Sequence, residues 1–543
     1  MTTEISKLHD MDAWTLVDLP PGKRAIDNKW VYSYKGGAKK VHPNPDNTST
    51  PREKARLVAR GDRQIPGIDY DETYAPVIKL VSLRIMLTIA ATLDLDLKHW
   101  DIVAAFVNGR LTEAVYMRQP HGFEDGSSKV CLLKSSLYGL CQSARAWYNK
   151  LDEVMTLISW KRLHSDYAIW VAPTGHEFVG AHVDDMAVAA CKETRTLLKK
   201  HLHQHFQVTN LGDLRIYVGL SIERDRPAKT IYISQDDYVR KILKLFAMEN
   251  CNAVSTPMLT VHASKRIQTP SLDDTAKKQY QRLIGCLLYL MHGTRPDLAY
   301  VVIRLSQHAS APQTHHWEDL KRVLRYLRGT TNARLVLAKK NEDGLIGYFD
   351  AAHGDAMDRR STSGYLFSYC GSPISWSSKI QRTIALSTVE AEYMAGTEAC
   401  KELIWIRSLY QGLRITLPTP ITLRGDNTGA ISLSKNPEFH QRTKHIELRE
   451  RFISFLVTKN IVQVIYVPTH DMLADCFTKP LTRERHHVHS EQMGLDLRVV
   501  YVCGTCRADF TSKVALDAHT TDTDHGDPFT LAGKKRKVGA LSQ

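Results

Sequence analysis

His182-Val183-Asp184-Asp185 stands between two apolar runs, Phe178–Ala181 and Met186–Ala190. The pattern predicts two buried strands joined by a tight turn that displays adjacent carboxylates. Paired acids beside a hydrophobic hairpin are costly unless compensated, and divalent metal is the usual compensation. Asp101 supplies a third acid: it follows the strand-like run Leu97-Lys98-His99-Trp100 and opens Ile102-Val103-Ala104-Ala105-Phe106. Three carboxylates brought together can hold two Mg²⁺ (or Mn²⁺) ions, which activate a hydroxyl and stabilise a leaving group. An isolated Asp-Asp pair reads as a solvated turn, so the surrounding sequence has to decide.

That surrounding sequence contains Lys54-Ala-Arg-Leu-Val-Ala-Arg-Gly61, Gly67-Ile-Asp-Tyr-Asp-Glu-Thr-Tyr-Ala-Pro-Val77, Val115-Tyr-Met-Arg-Gln-Pro120, Ser136-Leu-Tyr-Gly-Leu140 and Ala146-Trp-Tyr148. Together they resemble the reverse transcriptase of copia-type LTR retrotransposons. The resemblance continues through Arg282-Leu-Ile-Gly285, Thr294-Arg-Pro-Asp297 and Leu324-Arg-Tyr-Leu-Arg-Gly-Thr330 into an RNase H segment ending near Leu481. It covers roughly nine-tenths of the chain. It implies an α+β and α/β multidomain fold: a right-hand polymerase of fingers, palm and thumb and an RNase H-like domain, to which the tail, by its own spacing, adds a small ββα zinc finger. The implied partners are an RNA template, a DNA primer, an RNA–DNA hybrid and deoxynucleoside triphosphates. Asp101, Asp184 and Asp185 would be the polymerase metal ligands.

Composition agrees with this reading. A chain of 543 residues with 43% hydrophobic content can build three or more domains with ordinary cores. No apolar stretch reaches the roughly 18 uninterrupted residues of a membrane span, and the first residues lack a signal-peptide pattern. A soluble intracellular protein with no membrane partner is expected. The ten cysteines are mostly scattered among apolar residues, as reduced thiols of the cytosol or nucleus would be. A formal charge of +14 suits a polyanionic partner. With fingers motifs so near the first residue, capsid, protease and integrase segments are expected to be absent.

The segments expected are a reverse transcriptase over 1–265, a helical connection over 266–340, an RNase H-like domain over 341–483, a linker over 484–498, a zinc finger over 499–527 and a basic tail over 528–543. Residues 1–55 read as a polar, turn-rich lead-in. Helices are predicted at Val81–Leu93 and around Ala144–Leu157, in a mixed sheet with helices on one face. Leu211–Gly219 resembles the primer-grip hairpin and Ile233–Phe246 the start of the thumb.

Other residues have assignable chemistry. Phe106 lies where related enzymes use an aromatic ring to block the nucleotide 2′-hydroxyl, and on periodicity alone it reads equally as a core ring. Lys54 and Arg56 alternate outward on a fingers strand and could grip a triphosphate or be solvated charges. Gly139 would let backbone approach nucleotide or template closely, and Gly219 closes the primer-grip segment. His182 stands where the family has Tyr, and Cys141 and Ala144 where it has Lys and Pro. None of these departures removes a metal ligand.

A second constellation begins at Gly347-Tyr-Phe-Asp350, a strand ending in an acid. An RNase H needs about four carboxylates around Mg²⁺ or Mn²⁺, and the chain offers Asp350, Glu390 or Glu392, Asp426 and Asp475. Two residues apart on a helix, Glu390 and Glu392 point to nearly opposite sides. Ala395, Gly396 and Ala399 form a small-residue stripe below Glu392, which is therefore chosen. His470 resembles the histidine that aids product release or proton transfer, although a lone loop histidine is more often merely exposed. The family's Asp-Ala-Asp-Trp reads Asp350-Ala-Ala-His353 here, so an acid and a tryptophan are missing.

In the tail, Tyr501, Cys503, Cys506, Phe510, Leu516, His519 and His525 carry the spacing of a Cys₂His₂ zinc finger. Such a module folds around one Zn²⁺. Thr511, Lys513 and Leu516 make a poor base-reading set, leaving protein, RNA and DNA open as its target. Gly533-Lys-Lys-Arg-Lys-Val538 resembles a nuclear localisation signal for an import receptor, or else a solvated basic tail. Two other readings compete with an active enzyme: a catalytically silent nucleic-acid-binding protein and a nuclear zinc-finger adapter.

Overall fold

The computed structural model describes residues 1–35, 52–260, 269–338, 344–356, 358–435, 447–497, 501–502 and 509–510. Contacts gather the chain into two units, one of residues 1–79, 96–214 and 412–414, the other of 80–95, 215–411 and 415–543. These units are not contiguous in sequence, unlike the expected segments, because the helix Leu80–Thr92 and the residues after 214 cluster together.

In the first unit, a six-stranded sheet runs in the order Val208–Asp213, Asp96–Ile102, Asp185–Ala190, Phe178–His182, Ile169–Val171, Lys161–Arg162. Every pairing is antiparallel, so the expected mixed sheet is corrected. Short hairpins join Lys161–Arg162, Ile169–Val171, Phe178–His182 and Asp185–Ala190 in succession, which fixes those pairings as antiparallel. The helix Ser143–Leu157 places Trp147, Leu151, Val154 and Met155 at helical spacing, and with Leu198 and Leu202 of Lys192–Leu202 they cover one sheet face. Trp100, Ile102, Val179, Met186 and Val188 meet them. Each such side chain contributes about 1.5–3 kcal/mol by leaving water. Because strand residues alternate, burying Trp100 and Ile102 turns His99 and Asp101 to the opposite face.

The remainder of this unit has its own core. It contains a three-stranded sheet, Trp14–Val17, Val130–Ser135 and Arg110–Met117, and the hairpin Asn28–Lys35 with Arg52–Ala59. Ile5, Leu8, Trp14, Leu57, Met117 and Leu133 pack together. The lead-in expected to be turn-rich thus holds the helix Thr2–Asp10 and the strands Trp14–Val17 and Asn28–Lys35, with Ile5, Leu8, Trp14 and Ile26 buried while Leu16, Val31 and Tyr32 stay exposed.

The second unit contains two five-stranded sheets. One runs Ile216–Tyr217, Leu220–Asp225, Thr230–Ser234, Arg334–Ala338, Leu495–Asp496. Leu80–Thr92 packs on it and is apolar nearly all round because nearly all of it is buried. The thumb-like helix begins at Asp236, not Ile233, since Ile231 and Ile233 are core residues of the preceding strand. Helices Asp274–Gly293, Ala299–Ser306 and Thr314–Gly329 follow. The expected linker 484–498 instead carries the helix Arg483–Gln492 and the edge strand Leu495–Asp496, anchored by buried His486, His489 and Ser490.

The other sheet runs Ser372–Ile380, Thr362–Tyr369, Leu345–Ala352, Ile421–Gly425, Val462–Tyr466, with the first two pairings antiparallel and the last two parallel. The helix Thr388–Gly412 lays Ala395, Gly396 and Ala399 inward, and a Cβ on Gly396 would stand 3.2 Å from the Phe349 ring. The small residues let this helix lie close to the strand that carries Asp350. Among the described residues, no helix is long and apolar enough to cross a membrane.

Candidate active sites

Among the described residues, two sets of three acids could each hold a metal ion, and each belongs to one unit. In the first, oxygens of Asp101, Asp184 and Asp185 all lie within 4.8 Å of one another. Register creates this closeness: Asp185 pairs with Asp101 across adjacent strands. The turn bringing Asp184 alongside has Val183 at φ +60°, with Trp147 Nε1 donating to the Val183 carbonyl at 2.8 Å. Ile102 N donates to the Asp184 carbonyl at 2.9 Å, which ties the turn to the Asp101 strand. His99 Nε2 lies 3.0 Å from Asp185 Oδ1. His99 and Trp147 orient the acids and were not picked out from sequence; a histidine two residues before Asp101 on a half-buried strand was the available signal. A hard, all-oxygen donor set of this kind suits Mg²⁺ or Mn²⁺.

In the second set, oxygens of Asp350, Glu392 and Asp426 lie within 4.8 Å of one another. Glu392 is 6% exposed, and its Oε2 is buried without a hydrogen-bond partner. Burial, reinforced by Asp350 and Asp426, pushes its carboxyl up to about 10. A bound cation would reverse that penalty, so the orphaned oxygen fits a metal site. Glu390 is occupied elsewhere: its Oε2 accepts from Leu386 N at 2.7 Å while its own N–H donates to Ser387 Oγ at 3.1 Å, capping the helix.

Asp475 is fully buried and adjoins Asp350, outside the mutually close set of three. Lys479 Nζ is 2.7 Å from its Oδ1 and Arg485 Nη2 2.8 Å from its Oδ2. Lys479 Nζ also lies 3.8 Å from Asp350 Oδ2, to which the Thr478 hydroxyl donates. Burial lowers the Lys479 pKa, but Asp350 and Asp475 more than offset this and hold its ammonium above the ordinary value. Thr469 Oγ1 donates to Asp426 Oδ2 at 2.8 Å. His470 is 77% exposed at the side chain and pairs with Asp471 at 3.2 Å. His353 Nε2 lies 3.0 Å from the Ala385 carbonyl.

Residues 11–260 match the family described as reverse transcriptase (RNA-dependent DNA polymerase). The retrovirus-related Pol polyprotein from transposon TNT 1-94 of Nicotiana tabacum is 37% identical over 508 residues, 91% of this chain and 37% of that polyprotein. The transposon Ty5-1 protein of Saccharomyces cerevisiae is 30% identical over 310 residues, 56% of this chain and 100% of that protein. The chain belongs to the family of the transposon Ty5-1 protein, and its residues 11–260 are similar to reverse transcriptases. It spans little more than a third of the length of the tobacco relative. The structure of the foamy viral protease-reverse transcriptase dRH in complex with ds DNA is similar at 13% identity, over 86% of this chain and 69% of that chain, with a TM-score of 0.48.

The remaining family motifs take definite places. Phe106 packs edge-on to Tyr138, ring centroids 5.2 Å apart, and Arg56 lies 5.4 Å over the Tyr138 ring. Lys54 and Arg56 share one face of the strand Arg52–Ala59. Gly139 has φ +92°, and its missing Cβ would stand 2.2 Å from the Ala59 carbonyl, so the backbone there also packs closely on protein. Gly219 has φ +74°, and its missing Cβ would stand 2.2 Å from the Tyr289 hydroxyl, which donates to the Val218 carbonyl. Cys503, Cys506, His519, His525 and the basic tail lie outside the described residues. The described neighbours Tyr501–Val502 and Asp509–Phe510 pair as an antiparallel hairpin.

Proposed function

We propose that this chain is an RNA-directed DNA polymerase of a copia-type retrotransposon that also hydrolyses RNA in RNA–DNA hybrids. The observation that carries the reading is the convergence of Asp101, Asp184 and Asp185 oxygens within 4.8 Å in a chain whose residues 11–260 match the reverse transcriptase family. Mg²⁺ or Mn²⁺, when bound, would activate the attacking oxygen and stabilise the leaving one. Asp101, Asp184 and Asp185 would hold it for DNA synthesis, with His99 orienting Asp185. Arg56 and Lys54 would grip the triphosphate of a deoxynucleotide, and Phe106, braced by Tyr138, would crowd the sugar 2′ position. The second set, Asp350, Glu392 and Asp426 with Asp475 behind them, would serve RNA cleavage. His470 would act from the rim beside Asp426. The net charge of +14 favours template RNA, primer and hybrid alike.

The domain boundaries 1–265, 266–340 and 341–483 belong to this proposal, as does the finger over 499–527. Cys503, Cys506, His519 and His525 would bind Zn²⁺, and the hairpin at Tyr501–Phe510 supports that reading. The tail 528–543 would engage a nuclear import receptor. Primer extension on poly(rA)/oligo(dT) with Mg²⁺ tests the main reading, and absence of synthesis from folded protein would refute it.

A further inference from the structure

We propose that the Lys479 ammonium fills the place of a second divalent cation beside Asp350, so that the nuclease centre takes one divalent ion rather than two. The inference rests on the nuclease reading of that centre. Asp350 faces two ways: it belongs to the set with Glu392 and Asp426, and its Oδ2 lies 3.8 Å from Lys479 Nζ. On that second side the other acid is Asp475, whose Oδ1 is 2.7 Å from the same nitrogen. An ammonium is therefore already placed beside both carboxylates, which would otherwise be free to hold a second metal.

Asp475 is fully buried, and a buried carboxylate must be compensated or it neutralises. Here the compensation is built into the chain, since its other oxygen meets Arg485 at 2.8 Å. Lys479 stands four residues after Asp475, and its backbone N–H donates to the Asp475 carbonyl at 3.2 Å, a single turn that brings the two side chains to one side. Its side chain is 38% exposed, so the stem enters from the surface and the head reaches the acids. Charge balance agrees. With all four carboxyls ionised, as a bound divalent ion would favour, the two fixed cations leave a net charge of −2, which one divalent ion balances. A second divalent ion against Nζ would meet like charge at contact distance in a poorly solvated site.

The test counts ions in the full-length protein carrying Asp184→Asn and Asp185→Asn, which removes the polymerase set. Mn²⁺ is titrated and the free ion followed by electron paramagnetic resonance. One Mn²⁺ should bind with Lys479 in place, two with Lys479→Met, and one again with Lys479→Arg. Two ions bound with Lys479 present, or an unchanged count in Lys479→Met, would overturn the inference while leaving a metal-dependent nuclease intact. No ion bound in any variant would overturn the nuclease reading itself and the inference with it.

Discussion

Asp101 stands directly opposite Asp185 across two antiparallel strands, and Asp185 is held in turn by His99 at 3.0 Å. All three use the sheet face left free when Trp100 and Met186 turn toward the helices. His99 should therefore set how well Asp185 presents its oxygens. His99→Ala is expected to raise the Mg²⁺ concentration needed for half-maximal primer extension by about 10–100-fold, the usual effect of losing a residue that orients a ligand. An unchanged Mg²⁺ midpoint would reduce the contact to packing.

Glu390 and Glu392 should separate cleanly. Glu392→Gln should abolish cleavage of the RNA strand of a hybrid. Glu390→Gln should retain cleavage and cost little stability, because the glutamine oxygen can still accept from Leu386 N. Cleavage assays with thermal unfolding of both variants check this, and equal loss of cleavage would mean that the wrong helix face had been assigned to the metal.

Phe106, edge-on to Tyr138, is expected to crowd the 2′ position of an incoming nucleotide. Phe106→Val should raise ribonucleotide relative to deoxyribonucleotide incorporation by roughly tenfold or more, a selectivity change of at least about 1.4 kcal/mol. Single-nucleotide insertion kinetics read the ratio. If it stays constant, the ring is a packing element only.

His486 predicts an acid sensitivity. Burial lowers its pKa below the ordinary 6.5, an effect that Arg295 aids and Asp297 opposes. Below pH 6.5 the unfolded chain therefore binds the proton more readily than the folded one. The stability His486 contributes is complete above that value and is lost as pH falls toward the depressed value, by at most about 1.4 kcal/mol per pH unit. The unfolding midpoint should drop between pH 7 and pH 5, and His486→Phe, which keeps a ring against Tyr326, should drop less. Equal slopes would assign the acid sensitivity to other groups.

What was legible in the sequence followed local rules. Asp184 and Asp185 announced themselves because apolar runs on both sides force a hairpin, and Glu392 because small residues recur beneath it at helical spacing. His99 needed cross-strand register, which no local pattern contains. Residues 484–498 read as linker because the helix there buries His486, His489 and Ser490 in place of an apolar stripe. Arg485, the second cation on Asp475, was hidden inside that segment. That Gly139 packs on the Ala59 backbone needed the fold, because the two residues are eighty positions apart.

The central claim is that two acid sets in one chain carry two separable reactions. The direct test measures primer extension and hybrid cleavage side by side in Asp184→Asn and Asp426→Asn proteins, with hybrid binding as the control. Asp184→Asn should abolish extension and spare cleavage, and Asp426→Asn should do the reverse, with binding largely unchanged because phosphate contacts dominate affinity. Substantial extension by Asp184→Asn, or loss of both reactions from either change, would contradict the account.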